Sequence, residues 1–260
     1  MNVETIMYIA EGVVGLFFLL QVLRLAKSGS HSMMLVFFLF GMIGLLVNNV
    51  YWITYEYIHP GIRMPFAVNE FGEAAGFLLF SSALSQAIPK NGVFYRKEML
   101  GVILFTAASI ALWIGWSGEW LQDILGGSVF GYFLMAVVRA ARQTEVFSKK
   151  EWILIAAGSA LVIAGQISVF FASSPFREGL DLLCYGMMFA GIVYFAAKAF
   201  FAFRNRERAA KCLALSFAGH AWTISTIYMS AGIWYSLATV AFCVTLLQIL
   251  EALKREVAGA

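Results

Sequence analysis

Apolar residues in this chain come in long runs parted by short polar stretches. Runs of about 18 to 25 residues, the length that crosses a bilayer as an α-helix, recur near 5–26, 32–55, 67–88, 98–116, 120–141, 151–172, 180–203, 210–230 and 233–253. The fourth and fifth are parted only by Ser117, Gly118 and Glu119, and the last two by a Ser-Ala-Gly link. Helical hairpins need only a few connecting residues, so such tight links are no obstacle. The pattern predicts an all-α fold, a polytopic transmembrane helical bundle of about nine spans forming one integral membrane domain over residues 1–260.

The polar stretches orient the bundle. Arg24 and Lys27 follow the first span, Lys90, Arg96 and Lys97 the third, and Arg139, Arg142, Lys149 and Lys150 the fifth. Lys198, Arg204, Arg206, Arg208 and Lys211 surround the link from the seventh span to the eighth, and Lys254 and Arg255 follow the ninth. Only Arg63 and Arg177 fall on the other side. The positive-inside rule then places the N-terminus outside and the C-terminus in the cytoplasm, as for a protein of a prokaryotic cytoplasmic membrane. Acidic residues show the opposite bias. Glu4, Glu11, Glu56, Glu70, Glu73, Glu119, Asp123, Glu178 and Asp181 lie outside or in the outer half of a span, which predicts a carboxylate-rich outer mouth.

Composition agrees with lipid as the main solvent. Hydrophobic residues make up 61% and charged residues 13%, where a soluble domain carries about 25% charged residues. The mean hydropathy is +0.81. The net charge of +3 is spread over the loops without a basic stripe, so a nucleic-acid partner is not indicated. The first apolar run lacks a basic leading segment and ends in Arg24 and Lys27, which reads as a retained helix rather than a cleaved leader. Cys184, Cys212 and Cys243 lie singly inside apolar runs and read as packing residues.

The sequence leans away from enzyme chemistry without deciding it, and it leaves any cofactor unidentified. The chain has no His-Glu-x-x-His, no Gly-x-Ser-x-Gly and no phosphate-binding glycine loop, and its histidines are His31 in a cytoplasmic loop, His59 outside and His220 within a span.

Internal matches suggest two four-helix repeats in the same orientation, 5–116 and 120–230, with 233–253 as an added helix. Arg24 and Lys27 pair with Arg139 and Arg142, Gly41 and Asn49 with Gly158 and Gln166, and Pro65-Phe66 with Pro175-Phe176. Topology alone supplies the basic and proline matches. It does not supply the acid pairs, Glu70 and Glu73 opening the third span and Glu178 and Asp181 opening the seventh.

A helix start stabilises first-turn acids by about 0.3 to 1 kcal/mol each, which is reason enough for some of them. Glu73 lies deeper, followed by Ala74-Ala75-Gly76-Phe77, and a charge inside a span tends to face the bundle interior or a water-filled cavity. The second span leaves the membrane through Asn48, Asn49, Tyr51, Trp52, Tyr55 and Glu56. Amides and aromatic faces opposite carboxylates suit an ammonium group. A hard metal ion needs a tighter oxygen shell, which Glu70, Glu73, Glu178 and Asp181 could form only if the third and seventh helices faced one another. An aromatic belt at the interface accounts for most tryptophans, but not for two asparagines two turns inside a span.

The candidate ligand residues are therefore Glu70, Glu73, Glu178, Asp181, Asn48, Asn49, Tyr51, Trp52 and Tyr55. His220, Glu11 and Asp123 are candidates for proton coupling. Gly72-x-x-x-Gly76 and Gly127-x-x-x-Gly131 read as close packing of neighbouring helices. The expected function is a transporter or carrier that takes a cationic small molecule or metal ion from outside. The alternative is a receptor or sensor relaying ligand binding through the last helix to a cytoplasmic protein partner. A polar path past the middle of the bundle marks the first; a pocket closed from below by Phe, Leu and Ala marks the second.

Overall fold

The structure, a computed structural model, describes residues 3–27, 33–59, 68–88, 91, 93, 95–173, 175–230 and 232–259, with side chains from residue 6 in the first helix and residue 71 in the third. The side chains of Glu4 and Glu70, and His31, Arg63, Pro65, Phe66 and Lys90 entirely, lie outside the described residues.

The described residues form α1 (Val3–Lys27), α2 (Met33–Ile58), α3 (Val68–Ala87), α4 (Arg96–Ser117), α5 (Trp120–Gln143), α6 (Lys149–Phe171), α7 (Phe176–Arg204), α8 (Ala209–Tyr228) and α9 (Gly232–Gly259), with no strand among them. The chain is a helical membrane bundle of about nine spans. Seven of the helices, α1, α2, α4, α5, α6, α7 and α9, are long and apolar enough to cross a membrane by length and composition.

The exclusion of α8 from that set has a physical cause. Cys212 through Ala221 are buried without a break, and α8 packs on α5, α7 and α9. Around it the neighbours run α9, α1, α2, α3, α5, α4, α6, α7 and back to α9. A helix enclosed by other helices meets protein instead of lipid tails, so it can carry His220, Thr223 and Thr226 on hydrogen bonds within the bundle.

Phenylalanines from five helices fill the centre. Phe38 of α2 lies 5.7 Å from Phe80 of α3 and 5.8 Å from Phe217 of α8 between ring centroids, Phe18 of α1 is 6.2 Å from Phe38, and Phe133 of α5 is 6.1 Å from Phe217. All five are fully buried. Such offset and tilted ring pairs contribute about 0.5 to 1.5 kcal/mol each beyond the area they cover.

Glycines set the closest helix crossings. A Cβ on Gly44 would lie 2.8 Å from the Gly72 carbonyl oxygen, and one on Gly72 would lie 2.9 Å from that of Gly44, so α2 and α3 meet backbone to backbone. The Gly72–Gly76 and Gly127–Gly131 spacings are both close-packing sites; the second pair seats Ile110 and Thr106 of α4 against α5. Gly118, at φ +75°, ends α4 and lets the chain reverse into α5 with its N–H donating to Ile114 O.

One boundary differs from expectation. α7 begins at Phe176, which brings Glu178 into its first turn. Among the described residues α1 packs chiefly on α2 and α9, and α5 on α3, α4 and α8.

Candidate outer cavity

A cavity of about 320 Å³ opens at the end of the bundle where α1, α3, α5 and α9 begin and α2 and α8 end. This is the end poor in Lys and Arg. Each helix contributes one face at helical spacing. From α1 come Tyr8, Glu11 and Gly15; from α2, Met42, Leu45, Leu46, Asn48, Asn49 and Trp52. Glu73 and Phe77 enter from α3 and Gln122 from α5. α8 supplies His220, Ile224, Ile227 and Tyr228, and α9 supplies Tyr235, Phe242 and Leu246.

The walls differ in chemistry. Tyr8 stacks on Trp52 with ring centroids 5.4 Å apart and planes 9° from parallel, and it meets Tyr235 edge-on at 6.4 Å. These three rings, from α1, α2 and α9, make an aromatic wall on which Glu11 is set one turn inward from Tyr8. The other wall carries Glu73, which accepts a hydrogen bond from the Tyr228 hydroxyl. Tyr228 is itself held edge-on by Trp113 at 5.1 Å and Phe130 at 5.5 Å. The glycine contact between α2 and α3 brings Glu73 beside the Asn48–Asn49 turn, because any larger residue at position 44 or 72 would force the helices apart.

Glu11 and Glu73 are close enough to act on each other electrostatically, and Glu11 also lies beside Thr239 of α9. No Lys or Arg is among the described residues lining the cavity. Asn48 Oδ1 is buried and has no hydrogen-bond partner, so the cavity contains an acceptor that a donor-bearing guest would satisfy.

At the floor, His220 Nδ1 lies 2.8 Å from Thr245 Oγ1, whose hydroxyl donates to Phe242 O at 2.9 Å. This contact joins α8 to α9 below the cavity, with the donor set by the tautomer of the His220 ring. One turn further inward along each helix stand Phe18 after Gly15, Phe38 before Met42, Phe80 after Phe77 and Phe217 before His220. The phenylalanine cluster closes the cavity from below.

Of the residues singled out in the sequence, Glu73, Asn48, Asn49, Trp52, His220 and Glu11 come together here. Tyr51 and Tyr55 do not line the cavity; they stack on each other at 6.3 Å, and Tyr55 meets His59 in a tilted contact at 4.9 Å, toward the end of α2. Asp123 is engaged in the α4–α5 turn, where it accepts from the Ser117 hydroxyl. Glu178 is exposed, and Asp181 lies near Arg177 on α7. Among the described residues α7 packs chiefly on α6, α8 and α9, and α3 on α2 and α5. Among the described residues no group of three or more His, Cys, Asp or Glu is placed to hold a metal ion.

Sequence reasoning did not single out Tyr8, Gln122 or Tyr235, all of which line the cavity. One signal was available: Tyr8, Glu11 and Gly15 recur at i, i+3 and i+7, one face of a helix. Comparison of the chain with protein-family models, with curated proteins and with solved structures finds no match.

Proposed function

We propose that the chain binds a small organic cation, an ammonium compound, that enters the cavity from the outer side of a cytoplasmic membrane. The observation that carries this reading is Glu11 set into an aromatic wall of Tyr8, Trp52 and Tyr235, with Glu73 across the cavity and the unpartnered Asn48 Oδ1 beside it. Aromatic faces attract a cation through their quadrupoles, more strongly where water is thinned, and carboxylates add charge-assisted hydrogen bonds. A hard metal ion is less well served, since calcium takes about six to eight oxygen ligands and the described lining offers two carboxylates and scattered amides.

The phenylalanine floor favours a receptor over a carrier. α9 contributes Tyr235, Phe242 and Leu246 to the cavity and continues to Arg255, which donates to Phe203 O of α7 at 3.1 Å. A guest that alters how α9 sits at the outer end therefore has a continuous helix through which to act on a cytoplasmic partner. The carrier reading retains one supporting observation, the His220–Thr245 pair, a polar step below the cavity.

The test separates binding from movement. In detergent, tetramethylammonium or choline should raise the melting temperature, and at about 100 times Kd the gain corresponds to about 2.7 kcal/mol. In sealed proteoliposomes a receptor shows saturable binding without accumulation of labelled choline, whereas a carrier accumulates it. Absence of stabilisation by any organic cation removes both readings.

A further inference from the structure

A second, larger hollow of about 870 Å³ lies on the flank of the bundle between α4 and α6, with α5 and α8 as its floor. α4 and α6 both start at the basic end of the bundle and run outward side by side. Their facing surfaces include small residues, Gly101 and Ala108 on α4 and Ala156 and Ala160 on α6, which leave a channel instead of a packed seam. Its lining on α6 reaches from Lys149 to Ile167, about 27 Å at 1.5 Å per residue. A hollow on the flank of a membrane bundle faces lipid hydrocarbon, so its occupant is drawn from the bilayer.

The mouth of this groove is polar and basic. Lys97 and Lys149 lie there with Arg142, which is paired with Glu98. The Arg142 guanidinium sits over the Trp152 ring, 5.0 Å from its centroid. Arg142 Nε and Trp152 Nε1 are both buried N–H donors with no acceptor. Two adjacent donors left unpaired cost stability unless something supplies oxygen atoms. With Arg142 and Glu98 neutralising each other, the lysines leave the mouth positive.

We propose that the groove between α4 and α6 binds an anionic glycerophospholipid of the cytoplasmic leaflet. An acyl chain fills the apolar channel, the phosphate sits between Lys97 and Lys149, and ester or glycerol oxygens accept from Arg142 Nε and Trp152 Nε1. Basic pockets between helices on the cytoplasmic side are suited to anionic headgroups, and the same charge would not select a zwitterionic lipid. The lipid would act as a wedge tying α4 and α6, the two helices whose spans are least enclosed by the protein together with α1. This site is independent of the outer cavity.

The test is lipid titration of the purified full chain, stripped of lipid in a neutral detergent and followed by native mass spectrometry and thermal melting. Phosphatidylglycerol should bind more tightly than phosphatidylcholine of the same chain length. The K97Q/K149Q double variant should weaken phosphatidylglycerol by about 30-fold, roughly a factor of five per lysine, and leave phosphatidylcholine unchanged. Ala160→Phe, at an exposed position on the groove wall, should fill the channel and weaken both lipids. Glycerol 3-phosphate, which has the charge without the chains, should produce no shift. Equal affinity for the two lipids, or phosphatidylglycerol binding that survives either variant, overturns the proposal; stabilisation by glycerol 3-phosphate alone overturns it in favour of a soluble phosphate compound.

Discussion

Glu11 lies about 12 Å along α1 from its first described residue, at 1.5 Å per residue, and a carboxylate at that depth costs several kcal/mol unless the surroundings or a guest compensate it. Replacing it with Gln keeps the shape and removes the charge, so E11Q should weaken tetramethylammonium binding at least 10-fold in a titration while the empty protein melts no lower than the wild type. Tyr228 makes a different contribution. Phe at that position keeps the ring contacts with Trp113 and Phe130 but removes the donor to Glu73, and Y228F should cost about 1 to 3 kcal/mol in chemical or thermal unfolding. Asp181 serves as a contrast, since it stands on α7 away from the cavity; D181N should leave cation binding as it is. The sequence made Glu73, Trp52 and the two asparagines legible because polar groups inside an apolar run need a reason. It matched Glu70 and Glu73 with Glu178 and Asp181 as equivalent positions of a proposed repeat; Glu11 is the carboxylate that lines the cavity together with Glu73. Which helices face each other is decided by packing, and a single sequence records that only indirectly.

At the scale of helices, lengths and boundaries were readable because the bilayer imposes them: a span needs about 20 apolar residues, and hydrogen bonding within the helix follows from the lack of water. Neighbour relations were less so. α4 follows α3 in sequence yet packs on α5 and α6, leaving α3 to contact α5 directly. His220 stood out in the sequence as a histidine within a span, but that α8 is the enclosed helix emerges only from the ring of neighbours. The α2–α3 crossing gives an element-level prediction. Gly72→Ala would put a methyl 2.9 Å from the Gly44 carbonyl oxygen and must push the helices apart. Overpacking of this kind costs about 1 to 3 kcal/mol, and because Glu73 is the next residue, cation affinity should fall along with the melting temperature. A G101A substitution, where a Cβ meets nothing within 4 Å, is the matched control.

The whole molecule is a bundle with a polar hollow at one end and a packed aromatic floor beneath it. Phe217 is fully buried where α2, α5 and α8 converge, so F217A should cost about 3 kcal/mol through lost contacts and a new void. It should also extend the cavity inward, which accessibility of an introduced cysteine at Ala214, buried one turn further inward on the Phe217 side of α8, to a small aqueous thiol reagent added from outside would report. The charge asymmetry predicts that the same reagent reaches a cysteine at Tyr57 from outside and one at Glu145 only from the cytoplasm. The most direct test of the account is equilibrium binding of tetramethylammonium to the purified chain by calorimetry, with wild type and E11Q/E73Q measured side by side. The account predicts one saturable site in the wild type that disappears in the double variant although that variant still melts cooperatively. Binding of equal strength in both proteins would mean that these two carboxylates do not hold the cation.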